Sequence, residues 1–106
     1  MSSRLQKSKH FVLLLLKASK PQARALLETA DPNQVLALSE IALNLFQNPA
    51  FLAKLKKQNK RRQSILKNFG DKHIKEKAKY QLLCKHWEVI WKCVLTLKQF
   101  LNHSLS

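Results

Sequence analysis

One glycine and three prolines in 106 residues constrain this chain more than any other feature. Sandwiches and barrels need many turn residues and strands that alternate apolar with polar positions. Gly70, Pro21, Pro32 and Pro49 are too few to punctuate such a fold. The expected class is therefore all-α, a small bundle of four to six helices. An apolar content of 45% is enough to close one modest core at this length, so a single domain over residues 1–106 is expected. Residues 1–8 are expected to be disordered, and residues 84–106 to form a divergent amphipathic tail.

The same few breakers place the helices. An apolar first helix runs from about Lys9 to Lys17 and stops before Ser19-Lys20-Pro21. Its run of six apolar residues, 11–16, ends at Lys17 without a small-residue cleavage site, so it is read as core and not as a secretory signal. Ser19 or Lys20 then opens a short second helix, with Pro21 in the first turn, where a missing N–H costs nothing, and Thr29 near its end. Asp31-Pro32-Asn33-Gln34 combines an N-cap, a proline at the first helical position and a capping-box glutamine. The helix it starts extends to about Gln47, and its stripe of Val35, Leu38, Ile41, Ala42, Leu45 and Phe46 faces the core. Asn48-Pro49 repeats the signal for a fourth helix that reaches Phe69, where Gly70 supplies a left-handed stop and Asp71 caps a fifth helical stretch. Beyond Lys72 neither glycine nor proline occurs, so the remainder is one long helix or two joined near Cys84-Lys85.

Charge carries the functional reading. Twenty Lys and Arg against six Asp and Glu give a formal net charge of +14. A surface so charged repels itself unless an anion covers it, and a phosphate polymer offers the densest line of charge. Residues 54–85 hold the bulk of the cations, whereas residues 25–53 carry none, so the molecule is polar end to end. Read as one helix, residues 49–69 place Lys54, Lys56, Lys57, Lys60, Arg61 and Lys67 on one half and Phe51, Leu52, Leu55, Ile65, Leu66 and Phe69 on the other, with Arg62 turned toward the apolar side. Lys72, Lys75, Lys77, Lys79 and Lys85 extend the positive region. A basic helical hairpin around Gly70 is thus the expected binding surface, with Lys54, Lys56, Lys57, Lys60, Arg61, Lys67, Lys72, Lys75 and Lys79 against phosphates. A lysine-rich face is ordinarily only solvated, but solvated faces mix their signs and this one barely does. Gln58, Asn59, Arg62 and Gln63 could address base edges, yet no zinc-finger, zipper or helix-turn-helix pattern accompanies them. Sequence-tolerant contact with duplex DNA is the favoured partner reading.

Other constellations are weaker. Trp87, Ile90, Trp91, Val94 and Leu101 form an apolar seam for which packing onto the bundle is favoured, with an anionic membrane surface or an acidic protein partner as the alternative. Cys84 and Cys93, nine apart in a helical stretch, fall on opposite faces, so with His86 and His103 they make a poor metal site, and no metal or cofactor is expected. Clustered acids, a glycine-rich phosphate loop and an oriented nucleophile are all missing from the sequence, which points to a non-enzymatic protein. Free thiols fit a reducing, intracellular compartment, and no run approaches the roughly 20 apolar residues that cross a bilayer.

His10-Phe-Val-Leu-Leu-Leu-Leu-Lys, Ala25-Leu-Leu-Glu-Thr-Ala and Leu38-Ser-Glu-Ile-Ala-Leu-Asn-Leu, followed by Leu55-Lys-Lys and Ile74-Lys-Glu-Lys-Ala-Lys-Tyr-Gln-Leu-Leu83, resemble small basic helical proteins encoded by Polinton- and adintovirus-like elements. The likeness spans about residues 9 to 83 and rests on the pattern and order of helices. It implies a virion-associated or genome-condensing role, a double-stranded DNA partner, and the nucleus or the virion as location. After Leu83 this chain departs from the pattern: Cys84-Lys-His-Trp stands where such relatives continue with paired glycines and an apolar segment.

Overall fold

A computed structural model of the protein describes residues 6–58 and 60–96. Seven helices follow one another among them: α1 (Lys9–Lys17), α2 (Lys20–Glu28), α3 (Pro32–Phe46), α4 (Pro49–Leu55), α5 (Lys60–Gly70), α6 (Glu76–Lys85) and α7 (Trp87–Leu95). The class is all-α, and the helix count exceeds expectation because the helix anticipated from Pro49 to Phe69 is broken in two.

The caps explain the boundaries. At α2 the Gln22 N–H donates to Ser19 Oγ at 3.4 Å while the Ser19 N–H donates to Gln22 Oε1 at 3.0 Å, a reciprocal capping box. Asp31 and Gln34 repeat it at α3, at 2.8 and 2.9 Å. At α4 the Phe51 N–H donates to Asn48 Oδ1 at 3.1 Å, and α3 and α4 meet there at a bend of 93°. Each of these helices then carries proline in its first turn, where no intrahelical donor is lost.

Helix α3 forms the centre of the molecule and packs against α4, α5, α6 and α7. Burial on several sides accounts for Ala37 and Ser39, which lie outside the stripe expected from periodicity and are buried along with Val35, Leu38, Ile41, Ala42 and Leu45. The remaining core comes from Phe11, Val12 and Leu15 of α1, Ala23 and Leu27 of α2, Phe51 and Leu55 of α4, Leu66 and Phe69 of α5, Leu83 of α6, and Ile90 and Val94 of α7. The Cα radius of gyration, 12.5 Å, is that of one packed domain of this size.

Several expectations are corrected. The helix anticipated from Pro49 to Phe69 ends at Leu55, where Lys56–Gln58 close a turn through the Lys57 N–H to Lys54 O and Gln58 N–H to Leu55 O bonds, and α5 starts afresh at Lys60. Gly70 is not a left-handed stop, since no glycine has positive φ. Its missing side chain instead permits a close crossing: a Cβ there would lie 3.1 Å from the Leu43 backbone nitrogen and 3.3 Å from the Ala42 Cβ. Asp71 does not cap α6. Its Oδ1 accepts from the His73 N–H at 2.8 Å in a local turn, and α6 begins at Glu76 after Lys75, which makes no side-chain cap bond. Of the two readings left open for the tail after Lys72, two helices are found, parted at His86 (φ −124°, ψ 36°), next to Cys84-Lys85, without a glycine or proline. Residues 6–8 are ordered against expectation: Gln6 and Lys7 are helical, and Ser8 is buried and its carbonyl accepts from the Val12 N–H. The rest of the segment expected to be disordered, residues 1–5, lies outside the described residues.

Candidate nucleic-acid interface

The short α4, the turn after it, α5 and the loop to α6 present the cationic side chains. Lys54, Lys56, Lys57, Lys60, Arg61, Lys67, Lys72 and Lys75 are all exposed. Because the chain turns at 56–58, they belong to two helices and two connections, so the array is a patch and not a single helical row. Their only carboxylate neighbours in sequence between 54 and 85 are Asp71 and Glu76, and Asp71 spends one oxygen on the His73 backbone.

Lys79 is the exception and a correction. Its side chain is 3% exposed, enclosed between α3, α5 and α6, and its ammonium donates to Ser39 Oγ. Ser39 in turn donates to the Phe69 carbonyl at 2.8 Å. The i+4 partner that a continuing helix would offer that carbonyl is the His73 N–H, which is held by Asp71. Ser39, thirty residues away and on another helix, therefore finishes the C-terminus of α5, and the Lys79 charge sits behind it where cations are favoured. A lysine so placed holds the bundle together and cannot reach a phosphate. Nothing in the sequence period marked it, because α6 is short and its lysines recur on every side.

The base-edge candidates are also accounted for. The Gln63 side-chain amide donates to the Gln58 carbonyl at 2.8 Å and so ties α5 to the turn after α4. Gln58 is half-buried, as is Arg62, which lines a cleft with Phe51, Leu66 and Cys93 in line with its expected turn toward the apolar side. Asn59 lies outside the described residues. Cations are thus exposed while the amides are engaged or withdrawn, an arrangement suited to phosphates and poorly suited to reading bases.

Positive potential is evident at the junction of α6 and α7. Burial holds the His86 imidazole below its usual pKa, and the charges of Arg61 and Lys85 push it the same way. Arg61 therefore stands close to this junction and brings the N-terminus of α5 into the same field.

The apolar seam packs as favoured, on the bundle. Ile90 and Val94 are buried in the core. The Trp91 Nε1–H donates to the Leu15 carbonyl at 3.2 Å, and Trp87 lies beneath the Arg24 guanidinium, 5.9 Å from it, with Lys20 and Lys92 paired to the adjacent Glu88 at 3.1 and 3.5 Å. The seam docks α7 on α1 and α2, and Leu101 lies outside the described residues. No single described helix is long and apolar enough to cross a membrane. Cys84 and Cys93 are free thiols on different helices, and burial pushes the Cys93 thiol up to about 12. Among the described residues no three His, Cys, Asp or Glu side chains converge as a metal site would require; His103 lies outside them. No family model, curated protein or solved structure matches the chain.

Proposed function

We propose that this protein is a non-enzymatic, sequence-tolerant binder of duplex DNA that contacts phosphates through Lys54, Lys56, Lys57, Lys60, Arg61, Lys67, Lys72 and Lys75. The observation that carries the reading is the concentration of twelve of the twenty Lys and Arg, against only Asp71 and Glu76, into residues 54–85 of a chain with net charge +14, with the eight named side chains exposed on adjoining elements. The Gln63 side-chain amide, engaged on the Gln58 backbone carbonyl, and the half-buried position of Gln58 support contact without base selection. A virion-associated or genome-condensing setting, in the nucleus or the particle, belongs to the same proposal and rests on the resemblance over residues 9 to 83. Docking of α7 on α1 and α2 weighs against a membrane role for Trp87, Ile90, Trp91 and Val94.

Duplex DNA binding across a salt series tests it, because each neutralised phosphate contributes about −0.9 to the slope of log K against log salt. Replacing Lys56, Lys60 and Arg61 together by Gln should make that slope shallower by roughly 2.7 while the thermal melt stays in place. Binding that ignores salt, or a slope unmoved by the triple substitution, overturns the assignment.

A further inference from the structure

Beside the phosphate-facing lysines lies a groove of about 700 Å³ that the DNA reading does not use. Leu43 and Phe46 of α3 and Leu52 and Leu55 of α4 make its floor, and all but Leu55 remain half-exposed. Its far wall is α5, from Gln63 to Gly70. Cations stand at both ends. The Gln63 amide bound to the Gln58 carbonyl fixes the turn carrying Lys56 at one end, and Lys67, Lys72 and His73 gather near Gly70 at the other. Lys56, Lys67 and Lys72 form no ion pair among the described residues.

The two ends identify the occupant. Seven residues of α5 separate Gln63 from Gly70, about 10 Å at 1.5 Å per residue, which is two helical turns. A second copy of this chain would bring another +14 to a basic rim. A stacked base needs an open aromatic face, but the floor is mostly aliphatic and Phe46 meets Phe51 edge to face, with centroids 6.0 Å apart and planes at 84°. A single-chain amphiphile has one headgroup and would leave one end unanswered. An amphipathic helix with carboxylates on its flanks answers floor and both ends together, since apolar anchors at i, i+3 or i+4 and i+7 span the same two turns.

We propose that the groove between α3, α4 and α5 receives an acidic amphipathic helix of a partner protein, its apolar anchors on Leu43, Phe46 and Leu52 and its carboxylates on Lys56, Lys67 and Lys72. The surface differs from the DNA reading in its apolar floor but shares three lysines with it, so the partner helix and DNA compete.

The test is fluorescence anisotropy with a labelled peptide of about 15 residues, Leu at i, i+3, i+4 and i+7 and Glu on both flanks, against a scrambled peptide of the same composition. The scramble keeps the charge, so general attraction to a basic protein cancels. The patterned peptide should bind about 10-fold tighter at physiological ionic strength, a difference of roughly 1.4 kcal/mol. Ser64→Trp, an indole placed on the exposed wall of α5, should abolish that preference and leave duplex DNA binding within about twofold, and Leu52→Gln provides a second, independent disruption of the floor. Equal affinity for the two peptides overturns the proposal, as does a preference that survives both substitutions. Saturable binding of dodecanoate without peptide preference would assign the groove to a single-chain amphiphile, and self-association lost in Ser64→Trp would assign it to a second copy; either result overturns the proposal.

Discussion

Removing the hydroxyl of Ser39 should cost more stability than any other single-atom change on α3. The serine is 3% exposed, accepts from the Lys79 ammonium and donates to the Phe69 carbonyl at 2.8 Å. In Ser39→Ala the carbonyl has no replacement inside α5, because the His73 N–H already donates to Asp71 Oδ1 at 2.8 Å, and the buried ammonium loses one acceptor. An unsatisfied buried polar group costs about 1–3 kcal/mol, and the transfer of a methylene-sized atom adds little, so about 2 kcal/mol is expected. For a domain near 100 residues each kcal/mol moves the melting temperature by about 4–8 °C, which places the variant roughly 8–16 °C lower. Far-UV circular dichroism melts and urea midpoints measure this, with Ser64→Ala on the exposed side of α5 as control, expected within about 0.5 kcal/mol of the parent. If Ser39→Ala melts with that control, Ser39 does not complete α5 and the account of Lys79 as a core residue fails with it.

Lys75→Gln and Lys79→Met each remove one positive charge, so they change the overall field equally. Only the first should change the salt slope of DNA binding, by about 0.9, and an equal change in both would return Lys79 to the phosphate surface. Burial of Cys93 predicts that a thiol reagent near pH 8 modifies one cysteine of the native protein, half-buried Cys84, and reaches the second only on unfolding. The sign for stability follows from the raised value: the unfolded thiol ionises from about pH 8.5 upward while the folded one holds its proton toward 12, so this contribution is complete below about pH 8.5 and is lost above it. A urea midpoint in Cys93→Ala that falls as steeply over that range as in the parent would refute the assignment.

The features legible in the sequence were local. Ser19, Asp31 and Asn48 act within four residues of themselves, and the helices they start are found where the cap and proline signals put them. The features that escaped depend on contacts distant in the chain. The turn at 56–58 interrupts a sequence with a continuous helical period, and neither glycine nor proline marks it. Neither glycine nor proline marks the break at His86 either, so the sequence leaves open whether one helix or two follow Lys72. Gly70 carries the usual sign of a helix end, yet its use is to let α5 cross the backbone of α3. Of the eight lysines and one arginine expected at the phosphate surface, all but Lys79 are exposed, and Lys79 failed because composition cannot distinguish a solvated lysine from one whose charge is met by Ser39, forty residues away.

The polarity of the molecule is sharper than its charge count implies, because pairing is uneven as well as composition. Glu28 and Glu88 are engaged on α2 and α7, the first by Arg24 at 2.9 Å, the second by Lys20 and Lys92, and the ion pair with Lys20 holds the Glu88 carboxyl below its ordinary pKa. Asp71, which lies within the basic region, turns an oxygen to the His73 backbone instead of toward a lysine. Acids are thereby committed to cations on α2 and α7, and the exposed lysines of residues 56–75 face water. Such side chains give up little when they move to a phosphate, since an exposed pair would contribute at most about 1 kcal/mol in competition. The same availability is what an acidic helix would exploit at Lys56, Lys67 and Lys72. Two anionic partners of different shape would then be separated by the groove floor: a duplex cannot enter it, and a helix gains apolar contact there that DNA cannot match.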